Sequence, residues 1–378
     1  MRALIFAAGL GTRLKPLTDT MPKALVPVGG LPLLDHVLRK LRAAGIGEAV
    51  VNVHHFADRI IEWIDAHPVE GLRVSVSDER DFLRETGGGI RYAERLLRPS
   101  VPSSFALPAS SPSASPAPSS FALPASSSSA SPASSSSAGL PADPSPSSVA
   151  AIAAERTDGC FLVHNVDILS NLDLARFASQ APADALATLA VSDRKTQRYF
   201  LFKEEDSVSE SAAAVPCHAP SASVARADGP TPLLPVSPSP RLRLVGWTNV
   251  ATGEVRTPFP DLDVTACRKL AFSGIHLISN RIFEVFRSVD AACDQSACDQ
   301  SASVRLQGSS VRSDRDLSTG DGPAPLGERF SITDFYLRVC AEYPIYGIVP
   351  PDFRMIDVGK LDTLAAAEDF LRCERREG

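Results

Sequence analysis

The chain has 378 residues, of which 44% are apolar, enough to bury a sizeable core. Its formal charge of −6 argues against a nucleic-acid partner, whose footprint is basic. Seven cysteines, at positions 160, 217, 267, 293, 298, 340 and 373, show neither a CxxC pair nor Cys/His ligand spacing. They suggest no disulfide framework and no zinc site, and read as small buried hydrophobes in a reducing, cytoplasmic setting.

Taken in chain order, Ala3–Ala8 is a continuous apolar run, as a strand covered on both faces should be. Arg2 before this run superficially suggests a signal peptide. However, Gly11, Arg13 and Lys15 stand where a small-residue cleavage site belongs, so a buried strand is the better reading. No apolar stretch reaches the ~18 residues a membrane helix needs, so no membrane partner is expected. Leu33, Leu34, Val37, Leu38 and Leu41 recur at helical spacing, with Gly45 ending the helix. Ala49–Val53 reads as a strand, Ala57–Ala66 as a helix, Leu72–Ser77 as a strand and Ile90–Leu97 as a helix opened by three glycines. Beyond them, Cys160–His164, Ala185–Val191 and Ala271–Leu277 read as strands, and Arg281–Phe286 and Leu361–Leu371 as helices.

Three stretches interrupt this pattern. Residues 99–150 are serine, proline and alanine almost throughout, with SSFALPAS at Ser103–Ser110 repeated at Ser119–Ser126. Residues 207–240 are similar, and residues 290–326 carry ACDQS twice. Such segments bury too little apolar surface to offset their ordering entropy, so they are predicted to be disordered insertions. Without them about 250 residues remain, which fits one α/β domain over residues 1–372. Alternating strands and helices imply a mostly parallel sheet covered on both faces, with ligands at the carboxyl ends of the strands. The loops of interest therefore follow Ala8, His164 and Met355.

The strongest motif runs from Leu4 through Ala7-Ala8-Gly9-Leu10-Gly11-Thr12-Arg13-Leu14 to Thr18, followed by Met21-Pro22-Lys23-Ala24-Leu25-Val26-Pro27-Val28. Gly9 and Gly11 allow close approach of backbone N–H groups to phosphate oxygens, and Arg13 and Lys23 add fixed positive charge. A dinucleotide fingerprint needs glycine where Leu14 stands, and no P-loop is present, which disfavours a dehydrogenase. Glu85-Thr-Gly-Gly-Gly-Ile90 suits a plain loop or a helix N-terminus facing an anion. Asp167, just past the Cys160 strand, sits where a carboxylate can hold Mg2+, and Asp357, before Gly359, reads as a helix N-cap carboxylate.

These motifs together resemble the sugar-phosphate nucleotidyltransferase family. The resemblance implies a Rossmann-like three-layer nucleotidyltransferase fold with a mixed central sheet. It also implies a site binding a nucleoside triphosphate (UTP or GTP) and a sugar 1-phosphate, with Mg2+ as cofactor. In that pattern the backbone of Ala8, Gly9, Gly11 and Thr12 contacts the nucleotide, and Arg13 and Lys23 its triphosphate. Glu85, Gly87 and Gly88 pack on the base. Asp167 and Asp357 are the metal ligands, with Arg13, Lys23 and Asp167 carrying the chemistry. The Phe272-Ser-Gly-Ile segment resembles the family's sugar strand, so Asn165, Gly274 and Asp334 fall on the sugar-phosphate side. Val166 replaces a frequent glycine, Met355 a frequent tryptophan and Lys360 a frequent threonine. The short architecture resembles N-acetylmuramate 1-phosphate uridylyltransferases, with mannose or heptose 1-phosphate guanylyltransferases as rivals. Arg198–Phe202 departs from the acidic pattern expected of the muramate enzymes. A catalytically silent nucleotide-sugar-binding regulator of the same fold is the alternative from another class. His54 and His55 are expected to support structure.

Overall fold

The computed structural model describes residues 1–98, 159–205, 241–292 and 325–377, so the interiors of all three low-complexity stretches lie outside the described residues. Strand β1 (Arg2–Phe6) is the apolar run at the start of the chain. It pairs in parallel with β4 (Glu48–Val53) on one side and with β6 (Cys160–Asn165) on the other. Between β1 and β4 lies a small antiparallel pair, β2 (Pro27–Val28) with β3 (Leu31–Pro32). Beyond β4, the edge strand β5 (Arg73–Asp78) completes a parallel half.

After β6 come the short β7 (Ile168–Ser170), then β8 (Ala187–Ser192), β9 (Arg198–Glu205), β10 (Arg241–Asn249) and β11 (Glu254–Arg256). The series ends with β12 (Arg268–Ser279), β13 (Ile345–Ile348) and β14 (Met355–Asp357). The main sheet has ten strands in the order β11-β10-β13-β8-β12-β6-β1-β4-β5, with β9 bridging β10 and β12. Only β10 and β12 run against the other strands of this sheet, so it is mixed but mostly of one direction. Strands β7 and β14 form a separate antiparallel pair beside it.

Alternation along the central strands explains the layers. Ala3 and Ile5 join one buried cluster with Leu34, Leu38 and Ile60 of helices Leu33–Ala43 and Ala57–Ala66. Leu4 joins the opposite cluster with Ile90, Phe283, Phe286, Phe335 and Tyr336. The result is three layers, helix, sheet and helix, with the strands buried on both faces.

Several expectations need correction. The three glycines do not precede a helix: helix Glu85–Tyr92 contains them, and a short turn of helix follows at Glu94–Leu97. They fit there because Gly87 and Gly88 lie directly against the 328–330 segment and Gly89 against Glu79, Phe6 and Asn52, leaving no room for side chains. The third low-complexity stretch does not begin at Asp290. A helix spans 282–292, and Asp290 pairs with Arg91 at 2.8 Å and accepts from the Leu326 amide at 2.9 Å. The closing helix, Asp362–Glu377, runs past residue 372. Of the cysteines, Cys267 and Cys340 are buried and Cys160 is half-buried, but Cys373 is exposed. Positions 217, 293 and 298 lie outside the described residues. No helix among the described residues is long and apolar enough to cross a membrane.

Candidate nucleotide and phosphate site

Strands β1, β6 and β8 share one direction, so their carboxyl ends meet along one edge of the sheet. A cavity of about 360 Å³ opens there, walled by Ala7, Ala8 and Gly9 after β1 and by Asn165, Val166 and Asp167 after β6. Lys23, Asn52, Glu79, Glu85, Thr86 and Ser331 close its other sides.

The glycine loop is shaped by local bonds. Gly11 has φ of +64°, and a side chain there would press on Thr18 at 2.9 Å and on Lys23 at 3.2 Å. The Thr18 hydroxyl donates to the Gly11 carbonyl at 2.8 Å, and the Leu14 amide donates to the same carbonyl, closing the turn Thr12–Leu14. Lys23 heads a second tight turn, Lys23–Leu25, in which the Val26 amide donates to the Lys23 carbonyl. From that turn Lys23 reaches Asp167 and forms a half-buried ion pair, the side chains keeping 11% and 19% of their exposure.

Asp357 comes to the same place through backbone pairing. β14 pairs with β7 so that Asp357 faces Ile168, and the Val358 amide donates to the Asp167 carbonyl at 2.8 Å. Asp357 is open to solvent on one side, yet lost hydration and then the Asp167 carboxylate push its carboxyl above the usual range. Lys23, Arg13 and Arg194 pull it back. Arg13 lies beside Gly359, where a side chain would meet its guanidinium at 3.1 Å and the Asp357 carboxylate at 2.7 Å. The structure therefore brings Arg13, Lys23, Asp167 and Asp357 into one constellation next to the cavity. Two neighbouring carboxylates beside space for phosphates are a donor set suited to Mg2+. Among the described residues no group of three or more His, Cys, Asp or Glu side chains gathers to hold a metal by itself.

Other expected site residues fall around this centre. Ala8, Gly9, Glu85 and Asn165 line the cavity, whereas Gly11, Thr12 and Arg13 stand beside it. Gly87 and Gly88 are not among the lining residues. Both of their amides donate to the Phe330 carbonyl, at 2.9 and 3.2 Å, so they dock the 328–330 segment while Glu85 and Thr86 face the space. Gly274, with φ of +80°, lies behind Asn165, and a side chain there would meet the Asn165 amide at 2.6 Å. Asp334 is not among the lining residues either. It is exposed, pairs with Arg256 at 2.7 Å and leaves the cavity wall to Ser331, which caps helix Ile332–Val339. His54 bonds the Glu79 carbonyl at 2.7 Å and His55 packs on Phe56, as supporting roles require.

Three functional candidates escaped the sequence reading. Arg194 follows β8, donates to the Phe272 carbonyl at 3.1 Å and brings a cation to Asp357 from the sheet side opposite the glycine loop. Asn52 and Glu79 line the cavity from β4 and from the residue after β5. A polar Asn52 inside the apolar strand Glu48–Val53 was the available signal for that pair.

Residues 3–109 match the family described as the MobA-like NTP transferase domain. The chain extends well beyond this matched stretch. It is 53% identical over 97 residues to an N-acetylmuramate alpha-1-phosphate uridylyltransferase of Caulobacter vibrioides, covering 25% of this chain and 40% of that protein. Over 108 residues it is 35% identical to a mannose-1-phosphate guanyltransferase of Kluyveromyces lactis, covering 28% of this chain and 30% of that protein. The matched stretch thus spans less than half the length of these curated relatives. The likeness in fold extends further along the chain than the likeness in sequence. The chain is similar to a structure of UDP-glucose pyrophosphorylase complexed with UDP-glucose (TM-score 0.52, 12% identity, 99% of this chain and 98% of that chain). It is also similar to a putative glucose-1-phosphate thymidylyltransferase from Bacillus anthracis (TM-score 0.53, 11% identity, 98% of this chain and 95% of that chain).

Proposed function

We propose that this chain transfers a nucleoside monophosphate from a triphosphate to a sugar 1-phosphate, releasing pyrophosphate. The observation that carries this reading is the Lys23–Asp167 ion pair with Arg13 and Asp357 beside it, at the mouth of a cavity walled by a glycine turn. The cavity takes the base and ribose against Ala7–Gly9 and Glu85. Arg13 and Lys23 hold the phosphates, and Asp167 and Asp357 hold Mg2+, which when bound neutralises phosphate charge. Arg194 reaches the same constellation from the β8 side, where the acceptor phosphate must enter.

The acceptor is itself a phosphate monoester with a second pKa near ~6, so it arrives largely deprotonated and needs no general base. Catalysis then rests on in-line placement of the acceptor oxygen and on charge complementarity toward the leaving pyrophosphate. Such chemistry uses the residues gathered here and asks for no Ser/His/Asp triad. A cytoplasmic setting suits the substrates.

For the substrate pair we take UTP with N-acetylmuramate 1-phosphate first, supported by the Caulobacter vibrioides relative. GTP with mannose 1-phosphate is second, supported by the Kluyveromyces lactis relative. Four triphosphates assayed against a panel of sugar 1-phosphates by pyrophosphate release decide between them. One strongly preferred pair is expected, and no release with any pair defeats the proposed activity.

A further inference from the structure

Glu79 is fully buried, an unusual place for a carboxylate without a cation paired to it. Its oxygens are instead taken by two donors: the Asn52 side-chain amide, and the Arg84 backbone amide at 3.2 Å. Asn52, itself 1% exposed, turns its remaining oxygen to the Ala8 amide at 3.1 Å, while its backbone carbonyl accepts from the Ala7 amide at 3.2 Å. Residues from four places in the chain thus share one chain of hydrogen bonds, and Ala7, Ala8, Asn52 and Glu79 all line the cavity.

The direction of these bonds is not symmetric. Both Glu79 oxygens accept, one from Asn52 and one from the Arg84 amide, so Asn52 spends its NH2 group on Glu79 and its amide oxygen faces Ala8. Gly89 leaves no slack, since a side chain there would meet Glu79 at 3.0 Å, Phe6 at 3.1 Å and Asn52 at 3.3 Å. Because the peptide is planar, holding the Ala8 N–H on Asn52 also fixes the direction of the Ala7 carbonyl.

We infer that Glu79 is a positioning residue for nucleotide binding: through the orientation it imposes on Asn52, it fixes the Ala7–Ala8 peptide on the cavity wall. The inference deepens the proposed function, and the calorimetric arm of its test reads nucleotide binding without turnover.

The test compares wild type with Glu79→Gln, Asn52→Asp and the double variant, using calorimetric binding of UTP and GTP together with KM for both substrates. In Glu79→Gln an NH2 group can face the Asn52 NH2, freeing Asn52 to turn its donor toward the Ala8 N–H. In Asn52→Asp two carboxylates are pressed together. In the double variant the amide introduced at position 79 donates to the carboxylate introduced at position 52. The other oxygen of that carboxylate still accepts from Ala8, and the amide oxygen at position 79 accepts from Arg84.

Each single change is expected to weaken nucleotide binding about tenfold while leaving KM for the sugar 1-phosphate within about twofold. The double variant should return to within about threefold of wild type. A double variant no better than the worse single one overturns the inference. So does an equal rise in both KM values, or a wild type that binds neither nucleotide. Should either single variant fail to fold, Gly89→Ala, which puts a better helix former into the helix, presses on the same pair. It must weaken nucleotide binding by a similar factor, and unchanged binding contradicts the relay. A wild type that binds nucleotide but releases no pyrophosphate would defeat the proposed activity and leave the relay standing.

Discussion

Lys23 and Asp167 are 144 positions apart in the sequence and form a half-buried ion pair at the carboxyl edge of β1 and β6. The pair locks the turn after the glycine loop to the strand end that carries the candidate metal ligand. Removing either partner leaves an uncompensated charge in a partly dehydrated place. Lys23→Ala is expected to lower turnover roughly 100- to 1,000-fold, the scale for losing one preorganised charge at a site where charge develops. Initial rates of pyrophosphate release check this, on protein whose melting transition remains cooperative. A rate within a few-fold of wild type would remove Lys23 from the chemistry.

Arg194 approaches Asp357 from the β8 side while Arg13 approaches beside Gly359. If the first serves the entering phosphate and the second the triphosphate, their loss should separate in kinetics. Arg194→Met is expected to raise KM for the sugar 1-phosphate about tenfold with KM for the triphosphate nearly unchanged. The reverse pattern would move Arg194 to the leaving-group side.

Much of this arrangement was legible in the sequence because it is local. The run Ala3–Ala8, the glycine turn and Lys23 lie within one short segment, and the period of apolar residues marks Leu33–Ala43 and Ala57–Ala66 closely. What escaped depends on partners distant in sequence. Gly87 and Gly88 looked like a loop because glycine is a poor helix former, and the helix they occupy exists because the Phe330 carbonyl takes their amides. Asp334 looked like a site residue until Arg256, on an edge strand that no motif announced, paired with it. Glu79 carries no local signature at all, since its meaning lies in Asn52 and Ala8.

Gly274 supports Asn165 by having no side chain. Gly274→Ala forces an L residue to φ of +80° and a methyl group against the Asn165 amide, so it should cost about 1–2 kcal/mol of stability from the backbone alone. Denaturant titration reads that loss, and KM for the sugar 1-phosphate should rise with it. An unchanged midpoint would mean that the strand relaxes around the substitution.

His164 and His276 are buried in the sheet, and burial pushes them down to about 4 and about 3 from an ordinary 6.5. His276 bonds the Tyr336 hydroxyl at 2.8 Å. Both are neutral in the fold and free to protonate once unfolded. The unfolded chain therefore binds more protons between the ordinary value and the folded one, and stability falls as pH drops through that window. The loss is roughly 2 kcal/mol for each histidine between pH 6.5 and about pH 5. Denaturant midpoints across that interval should fall for wild type and fall less for His276→Gln. Parallel slopes would show that His276 does not carry the effect.

The constellation of Arg13, Lys23, Asp167 and Asp357 stands or falls with one comparison: pyrophosphate release by wild type and by Asp167→Asn, with the preferred substrate pair, titrated with Mg2+. Wild type should be silent without Mg2+ and saturate as it is added, and the variant should lose turnover at every Mg2+ concentration. Equal turnover in the two proteins, or turnover in wild type that ignores the cation, would contradict the account.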